Sequence, residues 1–215
     1  MEFSLLIPEW FGGYDAFLEA VFLVITLLLS VYSFRVYRLT KNRESRLVGL
    51  SFLLLALSYL SLSLTTGLFG ALLVVNPLDL LSGITQIGLV AYMLLFIGGL
   101  ITMTYLTTKS KGNRLYLLLL LPALLAILKS TNAFFIFLIL SSFYLLFIVI
   151  FYYNIYKKNK QKNTLFILLA FLFLLIGKVQ YIFTINFELF YVIGHFLELV
   201  AYILMLVTLV RIMRK

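Results

Sequence analysis

Polar side chains recur at helical spacing in the last apolar segment of the chain. Tyr191, His195, Glu198 and Tyr202 are separated by four, three and four residues, so on a helix they share one face. His195 is the only histidine of the protein. An imidazole and a carboxylate three residues apart can share or pass a proton. The pattern therefore indicates a site for proton-coupled transport or for ligand sensing.

A charge on the preceding apolar segment needs a partner. Lys178 is the only basic residue deep within an apolar run, and a charge in hydrocarbon costs at least roughly 2.5–3.5 kcal/mol. Glu198 and Glu19 are the acids that can pair with it. A helical rise of about 1.5 Å per residue places these groups in the outer half of the molecule. We expect an outward-facing polar cavity that binds a small-molecule ligand and is lined by Glu198, His195, Lys178, Glu19, Gln86, Tyr191 and Tyr202.

A purely structural interpretation of the same residues stays open. In that case Lys178 and Glu198 form a buried ion pair that fixes helix packing, and His195 hydrogen-bonds to a neighbouring tyrosine. An enzyme is the least favoured class, because the sequence has no paired aspartates, no Gly-x-Ser-x-Gly elbow and no His-Glu-x-x-His motif. With no cysteine and one histidine, disulfides and a zinc site built mainly from imidazoles are excluded. We therefore expect no metal and no cofactor.

Long apolar segments must position these residues. The chain is 64% hydrophobic and 12% charged, whereas soluble domains carry about 25% charged residues. This composition predicts an all-α, polytopic membrane protein with a single transmembrane domain over residues 1–215. Seven segments approach the ~20 residues that a membrane-spanning helix needs, although Pro122 interrupts the fourth, which is the shortest. They are residues 14–38, 47–68, 78–107, 115–128, 133–156, 164–184 and 187–213.

The distribution of charge predicts the orientation of the bundle. Fifteen of the 17 basic residues fall in alternate loops and the C-terminal tail, whereas acids such as Asp15 and Glu188 fall on the other side. By the positive-inside rule the N-terminus is outside and the C-terminus is cytoplasmic. The first apolar run is too long for a signal peptide and predicts a membrane anchor. We expect a plasma-membrane protein whose basic loops bind anionic lipid headgroups rather than nucleic acid.

Two short matches indicate an internal duplication. Tyr37-Arg38, with Lys41 and Arg43 after it, is echoed 119 residues later, and the Leu-Val-Ala-Tyr of 89–92 recurs 110 residues later at 199–202. Segments 14–107 and 133–213 would then be parallel repeats of three helices, with 115–128 as a linker helix. The alternative explanation is coincidence, because apolar sequences match one another easily.

This three-plus-one-plus-three arrangement resembles that of SWEET and PQ-loop transporters and, more distantly, of rhodopsins. The resemblance lies in the architecture alone. The Pro-Gln pair of the PQ-loop family is absent, and Lys178 lies on the helix before the one on which an opsin would carry retinal. No functional residue is therefore carried over from either family.

The polar cavity favours a transporter of a small polar or charged solute, with proton coupling through Glu198 and His195 left open. The alternative is a seven-helix sensor or receptor-like module that binds a ligand and signals through a partner protein. A structural subunit of a larger membrane complex is a third interpretation, which predicts conspicuous polar residues on an outer face. Assembly into a homo-oligomer is left open as well.

Overall fold

The computed structural model of the chain describes residues 8–11, 13–72, 79–108, 112–184 and 187–213, and the side chains of 9, 67–85 and 213 fall outside this description. Four basic residues of the orientation argument, Lys109, Lys111, Arg214 and Lys215, also lie outside the described residues. Within the described ranges the chain forms one short 3-10 helix and seven α-helices, with no strand. The predicted all-α class is confirmed.

The helices follow one another with short connections. The 3-10 helix is Glu9–Phe11, and the α-helices are α1 Tyr14–Thr40, α2 Arg43–Leu72, α3 Asp79–Thr107, α4 Asn113–Lys129, α5 Ala133–Asn159, α6 Lys162–Phe183 and α7 Leu189–Met213. Several continue past the apolar segments that predicted them, most clearly α2, which was expected at 47–68. The extension at the start of α2 is polar (Arg43 to Arg46), and Arg and Glu are good helix formers that continue a helix beyond its apolar part.

Six of the helices are long and apolar enough to cross a membrane, namely α1, α2, α3, α5, α6 and α7. The remaining helix, α4, has 17 residues and contains Pro122. At about 1.5 Å per residue it is roughly 25 Å long, which is shorter than a bilayer core of about 30 Å. The described chain is thus a helical bundle of membrane-protein type, and seven complete spans and the orientation stay predictions.

The six long helices form a closed ring. Contacts join α1 to α2, α2 to α3, α3 to α5, α5 to α6, α6 to α7 and α7 back to α1, while α4 packs against α3 and α5. Ala123 and Ile127 are the buried side chains of α4. The Tyr144 hydroxyl of α5 donates a hydrogen bond to the Leu119 carbonyl of α4 at 3.1 Å. The chain therefore crosses from α3 to α5 along the outside of the ring.

Small residues let neighbouring helices of the ring approach closely. The Ser51 hydroxyl of α2 donates to the Gly99 carbonyl of α3 at 2.8 Å, and Ser61 donates to the Gly88 carbonyl at 2.9 Å. A Cβ atom on Gly99 would lie 3.0 Å from the Ser51 carbonyl oxygen. Close backbone approach of this kind is the usual basis of helix packing in membranes.

Helices α1 and α5 end in the same way. Lys41 and Lys160 have left-handed backbone angles, φ 53° and 48°. Their N–H groups donate to the carbonyls of Tyr37 and Tyr156, at 2.8 Å in both cases. A non-glycine residue in this conformation is uncommon. The shared ending therefore falls at positions 119 residues apart, the same offset as the sequence match.

Candidate functional site

A cavity of about 200 Å³ lies at the end of the ring where α1, α5 and α7 begin. We call it the polar cavity. Five of the seven predicted site residues line it. The lining comprises Asp15, Glu19, Tyr59, Leu62, Thr66, Leu89, Tyr92, Phe134, Phe137, Leu138, Lys178, Tyr181, Tyr191, His195 and Glu198. All six long helices therefore contribute to one shared space.

An ion pair joins α6 to α7 in this cavity. Lys178 Nζ lies 2.5 Å from Glu198 Oε1, and each side chain is 2% exposed. Lys178 Nζ also donates to the Tyr92 hydroxyl at 3.5 Å. The other carboxylate oxygen, Glu198 Oε2, accepts a hydrogen bond from the Tyr181 hydroxyl at 3.4 Å. Of the two acids considered as partners for Lys178, the structure selects Glu198.

Two glycines allow this ion pair to form. Gly177 immediately precedes Lys178, and Gly194 immediately precedes His195. A Cβ atom on Gly177 would lie 3.2 Å from the Gly194 carbonyl oxygen. The backbones of α6 and α7 therefore touch at this level, and the side chains on either side of the contact reach one another.

Aromatic rings surround the Lys178 ammonium group. Its Nζ atom lies 4.5 Å from the ring centroid of Phe96, 5.1 Å from that of Tyr181 and 5.9 Å from that of Phe137. Rings at these distances attract a cation electrostatically. Glu198 and these aromatic rings hold the Lys178 side chain inside the ring of helices, so it does not extend to the surface.

His195 is buried without a hydrogen-bonding partner. Its side chain is 6% exposed, and neither ring nitrogen has a partner among the residues that the structure describes. Its neighbours are aromatic rings, with centroids at 4.6 Å for Tyr191, 5.4 Å for Tyr181 and 5.7 Å for Phe11. The expected hydrogen bond to a tyrosine is therefore replaced by ring contacts, and both polar atoms of the imidazole stay available to a ligand.

Glu19 is the second buried acid of the polar cavity. It is 3% exposed, and its Oε2 atom accepts a hydrogen bond from the Thr66 hydroxyl at 3.1 Å. No described basic side chain forms an ion pair with it. Asp15, one turn earlier on α1, also lines the cavity and accepts hydrogen bonds from the Gly13 and Ala16 N–H groups at 2.9 and 2.8 Å.

Two predicted site residues lie outside the lining. Gln86 is exposed on α3, so the structure does not bring it together with the others. Tyr202 is fully buried, and its hydroxyl lies 2.8 Å from that of Tyr59 in a hydrogen bond. The stripe on α7 therefore continues below the cavity, where it joins α7 to α2.

The sequence reasoning missed several residues of the site. The Tyr181 and Thr66 hydroxyls donate hydrogen bonds to Glu198 and Glu19. The Tyr59 hydroxyl forms a hydrogen bond with that of Tyr202. Phe96 and Phe137 face the Lys178 ammonium group. A usable signal was present for the tyrosines, because each lies well inside an apolar segment and its hydroxyl requires a partner there. The phenylalanines gave no such signal, since lipid-facing and cavity-facing phenylalanines look alike in sequence.

A larger cavity of about 530 Å³ lies at the opposite end of the ring. We call it the apolar cavity. The same six helices line it, with side chains such as Leu29, Phe52, Met103, Phe171 and Met205. Its polar lining includes Ser33, Asn42, Glu44 and Thr208. The sequence analysis did not predict this cavity, because it contains no stripe of charged residues.

A buried aromatic layer separates the two cavities. Phe22, Tyr59, Phe96 and Tyr202 are each at most 1% exposed. The Tyr59 ring contacts Phe22, Phe96 and Tyr202 at centroid distances of 5.4, 6.0 and 5.8 Å. Phe22, Phe96 and Tyr202 each fall, along their own helix, between a residue of the polar cavity and one of the apolar cavity, and Tyr59 borders the polar cavity itself. The layer therefore closes the centre of the ring.

The arrangement offers no grouping of three or more histidines or acids that could hold a metal ion, within the part of the chain that the structure describes. No protein-family model, curated protein or solved structure matches this chain. The site must therefore be interpreted from its own geometry.

Proposed function

We propose that this protein is a membrane transporter of a small polar or charged solute, which binds first in the polar cavity. The observation that supports this most directly is the pairing of the cavities. Two cavities lie along the same six helices, and a buried aromatic layer divides them. Transporters place their substrate site near the middle of such a bundle and open it to one side at a time.

The polar cavity supplies the groups that coupling to protons would require. Glu198 accepts one hydrogen bond and forms one ion pair, both with α6, and His195 lies one turn before it with no hydrogen-bond partner among the described residues. Intramembrane carboxylates and imidazoles of this kind mark ion and proton pathways. In the proposed mechanism, binding or release of a proton at Glu198 weakens or restores its pairing with Lys178, which changes the fit between α6 and α7.

We propose that an internal repeat underlies the change between open states. Contacts at equivalent positions support it. With the offsets of 119 and 110 residues, Tyr59 corresponds to Lys178 and Tyr92 to Tyr202. The hydrogen bond between Tyr59 and Tyr202 then corresponds to the one between Lys178 and Tyr92.

The lining of the apolar cavity also contains pairs of residues that are 119 positions apart. Residues 119 positions apart line it from both repeats: Tyr32 with Phe151, Ser33 with Tyr152, Val36 with Ile155, Val48 with Ile167, and Phe52 with Phe171. Two similar halves around one path are the arrangement that lets transporters rock about a fixed site. The proposed orientation is N-terminus outside in the plasma membrane, with the basic end against anionic lipid headgroups.

The sensor interpretation remains the second candidate, and the aromatic layer favours it. A fully packed layer blocks passage in this state, and a receptor would keep it closed. A sensor in which ligand binding shifts α6 against α7 would pass its signal to a partner protein, without any movement of solute.

Flux measurements separate these functions. Purified protein in proteoliposomes is tested with radiolabelled amines, amino acids, carboxylic acids and sugars, with and without a proton gradient. Transport predicts uptake that is lost in Glu198→Gln and retained in Glu188→Gln, because Glu188 is exposed and outside the cavity. Uptake that survives in the double variant Lys178→Met/Glu198→Gln would assign the ion pair a structural role only. Binding of a solute without uptake would support the sensor.

A further inference from the structure

Acidic side chains outnumber basic ones in the described lining of the polar cavity. Lys178 is the one basic side chain among the described lining residues, and it is paired with Glu198. Glu19 and Asp15 also line the cavity, and neither forms an ion pair with a described basic residue. Lys129, the other described basic residue toward this end, is exposed at the end of α4. The described lining therefore holds more acidic than basic side chains, and a cation would supply Glu19 and Asp15 with the partner that they lack.

The hydrogen-bonding needs of His195 indicate which kind of cation the cavity can bind. Both of its ring nitrogens are buried and have no hydrogen-bond partner in the described part of the chain, and the residue lines the cavity. A neutral imidazole offers one hydrogen-bond acceptor and one donor. A ligand that carries N–H groups on its charged nitrogen can satisfy the acceptor, whereas a quaternary ammonium ion has no hydrogen to donate.

The walls and the volume indicate the rest of the ligand. Rings of Tyr92, Phe134, Phe137, Tyr181 and Tyr191 line the space, and faces of this kind attract organic cations. The cavity measures about 200 Å³, and a cavity of about 150 Å³ accommodates benzene. The space therefore fits an apolar body about as large as one aromatic ring, with a charged group attached.

We propose that the ligand of the polar cavity is a small protonated primary or secondary amine with such an apolar body, held by the Glu19 carboxylate and the acceptor nitrogen of His195. The proposal rests on the function proposed above and specifies its substrate class. In this arrangement Glu19 is the binding partner of the ligand, and the Lys178–Glu198 pair forms the opposite wall. Anions are disfavoured because the one lysine is already paired.

Binding can be tested without transport. The probe is 2-phenylethylamine, compared with 2-phenylethanol and 3-phenylpropanoate, which keep the ring and replace the charge. Trp10 is the only tryptophan of the chain, and its ring lies 5.5 Å from Phe11, which packs against His195. Its fluorescence gives one measurement of binding, and thermal unfolding in detergent gives a second.

We expect the amine to bind at least about tenfold more tightly than the alcohol or the acid, because a charge-assisted hydrogen bond exceeds a neutral one by about that factor. Glu19→Gln should remove this preference and still accept the Thr66 hydrogen bond through its amide oxygen. Glu188→Gln, an exposed acid outside the lining, should leave the preference unchanged.

The proposal is overturned if no probe binds, if the alcohol or acid binds as tightly as the amine, or if Glu19→Gln keeps the full preference. Should Glu19→Gln fail to fold, the affinities of the unmodified protein for the amine, the alcohol and the acid still show whether the cavity prefers a cation. Amine binding without flux overturns the transport function and leaves this inference standing. Uptake of another solute without binding of the amine would overturn this inference and leave the transport function standing.

Discussion

The polar and apolar cavities are lined by the same six helices, yet their walls differ in chemistry. At the polar cavity, lysine, histidine and two buried glutamates converge, and side chains from neighbouring helices hold most of them. At the apolar cavity, aliphatic and aromatic side chains dominate. Charged groups within apolar helices are expensive unless they meet a partner, which explains why they gather in one place. In the proposed transporter, the polar cavity would select the solute and the apolar cavity would provide its passage.

Removing one charge of the polar cavity should have the largest effect. Lys178→Met leaves Glu198 buried without a counter-ion and should lower the free energy of unfolding by about 3–5 kcal/mol. The double variant Lys178→Met/Glu198→Gln removes both charges and should recover most of that loss. Unfolding in detergent, followed by circular dichroism, measures both effects.

Lys129→Met is the matched control for this comparison, because Lys129 is exposed on α4. A surface change of this kind should alter the unfolding free energy by no more than about 0.5 kcal/mol. A Lys178→Met variant as stable as this control would contradict the buried ion pair.

Filling the apolar cavity should impair passage without impairing binding. Val48 lines this cavity, and a larger side chain there costs about 1–3 kcal/mol in any state that must close around it. Val48→Phe should therefore slow flux by about tenfold, while probe binding at the polar cavity, read from Trp10, stays the same. Leu50→Phe, two residues along α2 on the exposed side, is the control. Unchanged flux in Val48→Phe would remove the apolar cavity from the path.

The smallest effect is expected at the layer between the cavities. Tyr59→Phe and Tyr202→Phe each remove the hydrogen bond between the two hydroxyls, and each should cost about 0.5–1.5 kcal/mol. The double variant should cost less than the two single changes together, because the residues share one interaction. Chemical denaturation of the unmodified protein, the two single variants and the double variant gives the coupling energy between the two hydroxyls. Tyr153→Phe changes an exposed tyrosine of α5 and serves as control. Fully additive costs would mean that the two hydroxyls do not interact.

The polar half of the site was largely predictable because charges stand out in apolar sequence. Tyr191, His195, Glu198 and the isolated Lys178 were chosen from this signal, and all four line the polar cavity. Gln86 was misplaced because depth along a helix can be estimated from sequence, whereas the direction of the side chain around the helix depends on its neighbours. The choice of Glu198 over Glu19 as the lysine's partner likewise required the contact of Gly177 with Gly194.

The sequence by itself determined an all-helical chain of membrane-protein type with titratable groups inside its helices, because composition and helical period depend only on the order of residues. Only the tertiary structure decided that six long helices close into a ring, that α4 lies outside it and that a second cavity exists. Those features arise from which apolar faces meet one another. Apolar side chains carry no mark that distinguishes a neighbouring helix, a cavity or lipid, so their partners are fixed only when the whole bundle packs.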